Sequence, residues 1–350
     1  MIVNAKMSYN IKQNNFWGKI MAGFDLKEGT YRVQILAEDE MWSALMGVFA
    51  PTSRKDTTYK FGFLKSIIDN IYNVDENYRL SFDKLFGKFT EIYWNLILKY
   101  ELRQKAPNKV NRTTYLEQIL YAAKEKYNLQ EHIPFESLIE EHKTEIIHQV
   151  KMKCKQNVVG ALYGDTKELF YSFSKKEEWI EINPQIYGFI CKHKLLIEKI
   201  NYFEWAKFLE GANDERDSLQ LLSKLDASSK RNNLSIYRQI LLEEFGFDTC
   251  FYCGKKLEKE NIHVDHFIPW VFIKDDNIWN FVFACSKCNV SKNDKLPDIM
   301  YLDALIERND SLLLEYMNEK HINYKSDTLR YIYNWAQMNG YNKVWKGKSK

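Results

Sequence analysis

The sequence predicts a mainly α-helical protein: a large helical N-terminal part, a small metal-stapled unit, and further helices at the C-terminal end. Three observations carry this expectation. Pro and Gly are scarce, 6 and 14 in 350 residues, which disfavours a turn-rich sandwich. Apolar residues recur at three- and four-residue intervals over stretches of several turns. Four of the six cysteines form two Cys-x-x-Cys pairs, Cys250 with Cys253 and Cys285 with Cys288, which in a reducing compartment means metal rather than disulfides. With 45% apolar and 15% aromatic residues the chain can fill two or three domains, so a disordered tail or a disulfide miniprotein is excluded.

The 50 Lys and Arg stand against 47 Asp and Glu, a net charge of +3, so any basic surface must be local. Residues 1–19 lack the continuous apolar core of a secretory signal, and no stretch approaches ~18 uncharged apolar residues. The expectation is a soluble, cytoplasmic chain with no membrane partner.

The first clear helical period begins at Tyr59, with Leu64, Ile67, Ile68, Ile71 and Tyr72 on one face. In the second, Phe82, Leu85, Phe86, Phe89, Ile92, Tyr93, Leu96, Ile97 and Tyr100 make a broad apolar stripe. A stripe so wide has to be covered, so its aromatics read as core rather than as a stacking platform. Further helices are predicted near 114–127 and 136–156. Residues 179–209 open with alternation at Ile180 and Ile182 and close in a helical run. Two polar segments, 211–217 and 226–233, then break the pattern, and neither supplies a buried face. From Leu234 to Phe245 the spacing predicts a helix with Ile236, Tyr237, Ile240, Leu241 and Phe245 inward. Helices resume at 301–320 and 326–338, and a basic tail carries Lys343, Lys346, Lys348 and Lys350. The expected division is 1–225 as a recognition, partner-binding or regulatory domain, 226–300 as the unit that carries chemistry, and 301–350 as C-terminal helices with the tail.

The two cysteine half-sites are 31 residues apart. Together they can close a tetrahedral thiolate shell around Zn²⁺, and a shell with no open position makes the ion structural. Cys154 and Cys191 stand alone and read as thiols without chemistry. Between the half-sites, 261–266 is strand-like, Pro269 forces an extended exit, and 279–284 reads as a second strand. After Cys288, Asn289 is placed to cap a following helix. The order is strand, long loop, strand, helix, pinned at both ends by one zinc.

Taken together, Cys250-x-x-Cys253, Asp265-His266-x-x-Pro269, Asn280 and Cys285-x-x-Cys288-Asn289-x-x-Lys292 resemble the signature of the HNH endonucleases. The likeness covers 52 residues, 246–297. The spacing of Asp275 and Asp276 to Asn280 is also similar to that in the HNH domain of RNA-guided CRISPR effector nucleases, though nothing else here resembles those effectors. The resemblance implies a ββα-metal fold that hydrolyses phosphodiester bonds with one metal ion. Residues 60–102 are, more loosely, similar to helical regions ahead of C-terminal HNH domains in bacterial restriction or phage-defence proteins.

The residue roles that the resemblance implies agree with the chemistry. Hydrolysis needs a deprotonated water in line with the scissile bond and charge stabilisation on the departing 3′ oxygen. His266 is implied as general base, a role that suits a neutral imidazole of pKa ~6.5. Asp265 and Asn289 are implied to hold a catalytic Mg²⁺ or Mn²⁺ through hard oxygen atoms, and Asn280 to orient the His266 ring. Lys292 is either a solvated helix residue or a phosphate contact. His263 is either structural in its strand or stands at the substrate edge, where some members of the family carry a histidine.

DNA is the implied substrate. RNA shares the scissile phosphate, so an RNA-directed nuclease is one alternative. Another is a non-catalytic zinc module binding nucleic acid or a protein partner, which would need the cysteines but not Asp265, His266, Asn280 and Asn289 together. One such site cuts one strand per event, so a homodimer or a partner protein on the N-terminal helices completes the expectation, with a role in restriction or anti-phage defence.

Overall fold

The computed structural model describes residues 26–107, 113–129, 132–229, 234–258 and 261–347. Residues 1–19, part of the polar segment 226–233, and Lys348 and Lys350 of the basic tail lie outside the described residues.

A short strand β1 (Glu28–Gly29) precedes helices α1 (Glu38–Phe49), α2 (Tyr59–Asp69), α3 (Phe82–Trp94), α4 (Tyr115–Lys126), α5 (Glu140–Asp165) and α6 (Pro184–Ala212). The start signals are local. At α4 the Thr114 hydroxyl accepts from the Glu117 N–H at 3.1 Å while the Glu117 carboxylate accepts from the Thr114 N–H. At α6, Pro184 stands in the first turn and Asn183 Oδ1 accepts from the Gln185 N–H at 3.0 Å. The stripe read from Phe82 onward is core: Phe82, Phe86, Phe89 and Tyr93 are all fully buried. The Tyr93 ring lies 4.6 Å from that of Phe89 and 5.5 Å from that of Trp205. Gly62 lets α2 approach α3, since a Cβ there would overlap the Tyr93 ring.

Several elements depart from the sequence pattern. The helix expected at 136–156 starts at Glu140, after Pro134 and a 3-10 turn at Phe135–Ser137, and runs on to Asp165. A small antiparallel sheet of short strands is present: β2 (Arg79–Ser81), β3 (Tyr171–Ser174) and β4 (Trp179–Ile182) join β1 in the order β1-β3-β4-β2. After α7 (Leu221–Asp226) the polar segment does enter the core. Ser228 and Ser229 are buried, the Ser228 carbonyl accepting from Asn95 Nδ2 at 2.8 Å and Ser229 Oγ lying 3.4 Å from Asp69 Oδ2. Small hydroxyl side chains can be buried when they satisfy such groups. The helix from Leu234 becomes α8 (Ser235–Gln239) followed by a π-turn at Ile240–Glu244. The wider turn breaks the phase of a single α-helical stripe, so Leu241 is buried but Ile236 is 61% exposed rather than inward.

The strand-loop-strand-helix order is borne out by β5 (His263–His266), α9 (Trp270–Ile273), β6 (Phe281–Ala284) and α10 (Ser286–Lys292). β5 and β6 are antiparallel, with His263 opposite Ala284 and His266 opposite Phe281. The chain continues through β7 (Leu296–Pro297), α11 (Ile299–Arg308), α12 (Leu314–Glu319), α13 (Ser326–Met338) and β8 (Val344–Trp345). β8 pairs in parallel with β7, Trp345 opposite Pro297.

The hairpin is docked on the N-terminal helices by the Tyr72 and Phe272 rings, 5.8 Å apart, and by Asn73 Nδ2 donating to Asp275 Oδ2 at 2.7 Å. Behind this joint, Lys65 is fully buried and paired with Asp69 and, at 3.0 Å, with Glu198. Lys194 is also fully buried, and its Nζ has no hydrogen-bond partner among the described residues. It sits 5.9 Å from the Tyr72 ring and 5.7 Å from that of Phe272. Burial pulls its pKa down to about 8 against the opposing pull of Glu198 and Asp69. No described helix is long and apolar enough to cross a membrane.

Candidate active site and zinc centre

The first cysteine half-site is a tight knuckle. The Cys250 N–H donates to the Lys255 carbonyl and the Gly254 N–H to the Cys250 carbonyl, both at 2.8 Å, with Gly254 at φ +69° where a side chain would be strained. The Phe251 N–H donates to the Phe283 carbonyl at 2.8 Å, tying the knuckle to β6. Cys285 stands just before α10 and Cys288 within its first turn. All four Sγ atoms lie within 4.8 Å of one another, and those of Cys253 and Cys285 are 3.9 Å apart. A tetrahedral shell with Zn–S of about 2.3 Å puts sulfurs roughly 3.8 Å apart, so the set fits zinc. Burial raises the Cys285 pKa, but hydrogen bonds from the Cys288 backbone and from the neighbouring thiols outweigh it and bring it to about 7, so one sulfur is ready to ionise. The other two cysteines, Cys154 and Cys191, are buried thiols elsewhere in the helices.

Next to this centre, β5, α10 and the loop before α9 surround a cleft of about 550 Å³, lined among others by Asp265, His266, Asn289 and Lys292. His266 is buried, and its Nε2 lies 2.7 Å from Asp276 Oδ1. Asp265 Oδ2 accepts from the Tyr252 hydroxyl at 2.6 Å and lies 3.0 Å from Lys292 Nζ. Burial and the Asp265 carboxylate hold the Tyr252 phenol well above its usual pKa, so it remains a donor. Lys292 Nζ also donates to the His266 carbonyl at 2.8 Å.

Four expectations change here. Asn280 does not reach the imidazole; its amide pairs with the Ile268 backbone, accepting from the N–H at 2.8 Å and donating to the carbonyl at 2.9 Å. It shapes the loop that follows His266, and Asp276 takes the place at the ring. Lys292 is 1% exposed and not a solvated residue, because Asp265 and a backbone carbonyl compensate its charge. Asn289 lies inside α10 rather than capping it, since the helix already starts at Ser286. Its side chain is therefore left without a hydrogen-bond partner among the described residues, at the cleft wall. His263 is exposed at the start of β5 and is not among the described residues lining the cleft.

Tyr252 escapes a reading by spacing, and the spacing that singles out Asp275 and Asp276 does not give Asp276 its place at the ring. Tyr252 lies between the two cysteines of a half-site, and its position there is the only clue to its proximity. Asp276 is one of two adjacent acids, and only the loop's path decides which one meets the ring.

A hairpin and helix stapled by four thiols, with an Asp-His pair at the strand end, define the class. Residues 250–298 match the family described as HNH endonuclease. The match covers this segment of the chain, and what it suggests for the segment is a nuclease-type function. No curated protein and no solved structure matches the chain.

Proposed function

We propose that the protein is an endonuclease that hydrolyses phosphodiester bonds in DNA with one divalent metal ion. The observation that carries this reading is the Asp276–His266 contact beside Asp265 and Asn289 in one cleft. An Nε2–H donated to Asp276 leaves Nδ1 as the basic nitrogen, so His266 takes a proton from the attacking water. Asp276 fixes the ring and its tautomer, as outer partners do for functional histidines. Asp265 supplies a carboxylate oxygen and Asn289 an unengaged amide carbonyl, a donor set that fits Mg²⁺ or Mn²⁺ with most of its waters retained. When bound, such an ion stabilises charge on the phosphate and the departing oxygen. The zinc of Cys250, Cys253, Cys285 and Cys288 holds the domain together. The helices ahead of the hairpin, and their direct hold on the Asp275–Asp276 loop through Asn73, support a recognition or regulatory part that precedes the nuclease, as in a restriction or phage-defence enzyme.

The test is incubation of purified protein with plasmid, linear DNA and RNA, with Mg²⁺, with Mn²⁺ and with chelator. Metal-dependent cutting of DNA that His266→Ala lacks is expected. Cleavage of RNA alone moves the substrate, and no cleavage of either with folded, zinc-loaded protein removes the catalytic reading. A plaque assay comparing cells that carry the wild type and His266→Ala tests the defence role.

A further inference from the structure

A cavity of about 180 Å³ lies where the N-terminal helices meet α13, and aromatic rings and carboxylates line it. Tyr78, Tyr187, Tyr331 and Trp335 supply aromatic faces, and Asp75 and Glu76 supply carboxylates. The rings do not lie in one plane. Tyr78 and Tyr187 meet at 62° with centroids 5.1 Å apart, and Tyr187 and Trp335 at 78° with centroids 5.7 Å apart. Tyr72 stacks on Trp335 at 16° and 6.1 Å, which fixes the indole. These rings pack edge to face on one another, and together with the two carboxylates they line one volume, where electron-rich aromatic surface and negative charge attract a cation.

Packing alone does not account for this. A seam that served only to exclude water would close over its aromatic side chains. Tyr78, Tyr187 and Trp335 are instead only half-buried, and Tyr331 is 58% exposed. Tyr78 is held at φ +60°, a conformation bulky residues seldom take. Asp75 stabilises it, its Oδ1 accepting from the N–H groups of Asn77 and Arg79 at 2.8 Å each. One turn thus brings a ring and two carboxylates to the same cavity. Lys325 is the only cation among the described lining residues, so two negative charges face one positive.

We infer that this cavity binds an alkylated ammonium ion, the head shared by a methylated lysine side chain and by choline. Its volume falls below the roughly 300 Å³ at which sites for larger organic ligands begin, and its carboxylates repel phosphate. The inference stands apart from the nuclease reading, since none of these residues lines the cleft at His266.

Isothermal titration of the full chain with choline chloride and with its uncharged isostere, 3,3-dimethyl-1-butanol, tests it. Saturable choline binding is expected, with the isostere at least about tenfold weaker, the ratio that a cation–π gain of about 1.4 kcal/mol produces. Glu76→Gln and Tyr331→Leu, at exposed side chains, should each weaken choline binding severalfold without changing the melting temperature. A trimethyllysine peptide that binds more tightly than choline assigns the occupant to a partner protein, and equal affinities assign it to a free small cation. Equal binding of choline and the isostere, or no saturable choline binding, overturns the inference.

Discussion

His266 and Asp276 form a buried pair, Nε2 to Oδ1 at 2.7 Å, across the loop that joins the two strands of the hairpin. The pair commits one ring nitrogen and leaves the other for chemistry. His266→Ala should lower cleavage by about 10²–10⁴ while zinc content and circular dichroism stay unchanged. Asp276→Asn should cost less, about 10–100-fold, because the base remains and only its orientation is lost. Initial rates on plasmid DNA make the comparison, and wild-type rates in folded His266→Ala would remove the base assignment.

Asp265 and Lys292 separate metal binding from folding. Asp265→Ala should be inactive at ordinary Mg²⁺ and partly restored by excess Mn²⁺, whereas excess metal should leave His266→Ala inactive. Lys292→Met strips a buried carboxylate of its counter-ion, a change that typically costs about 3–5 kcal/mol. The urea midpoint reads that loss, and an unchanged midpoint would show that the pair contributes little.

Metal analysis should find one zinc per chain, bound by the four clustered thiols. Structural sites of this kind contribute on the order of 10 kcal/mol in zinc-finger peptides. Cys250→Ser should therefore lose zinc and hairpin structure together, unlike His266→Ala. Folded, active protein without zinc would contradict the assignment.

Lys194 supplies a pH-dependent test of the joint. Its pKa is about 8 when folded, against about 10.4 in an unfolded chain. Below pH 8 the ammonium is charged in both states, and its burial penalty is present in full. Between about pH 8 and 10.4 the unfolded chain holds the extra proton, so this residue's contribution makes stability rise with pH as the penalty is relieved. Lys194→Met should be more stable than wild type at pH 7 by about 3 kcal/mol, an advantage that shrinks by pH 9.5. Urea unfolding of both proteins at the two pH values isolates the residue, and a constant difference would contradict it.

What could be read from residue order was whatever depends on short spacing. The four cysteines, the strand-loop-strand-helix order and the aromatic stripe of α3 each follow from residues a few positions apart, and each is found in place. Side chains that reach across a loop are a different matter. The Asn280 amide can meet either the imidazole or the Ile268 backbone, and the hairpin's pairing register decides for the backbone. Of the small sheet only β4 shows, through the alternation at Ile180 and Ile182; β1 to β3 escape because strands of two to four residues are too short for alternation to stand out. Ile236 faces water because a π-turn breaks the phase that a uniform helix would keep.

The parallel pairing of β7 with β8 has a consequence for the order of events during synthesis. Trp345 donates from Nε1 to Ser291 Oγ at 2.9 Å, and its ring lies 4.9 Å from that of Tyr252, the residue hydrogen-bonded to Asp265. A ribosome that has translated every cysteine and His266 has not yet supplied this indole. The nascent chain therefore passes through a stage in which the zinc knot can close while Tyr252 lacks its final wall, and the packing around Tyr252 and Asp265 is finished only after residue 345 leaves the exit tunnel. Released chains truncated near residue 320 should bind zinc yet leave the cleft open to proteases, while chains that extend beyond residue 345 should resist them.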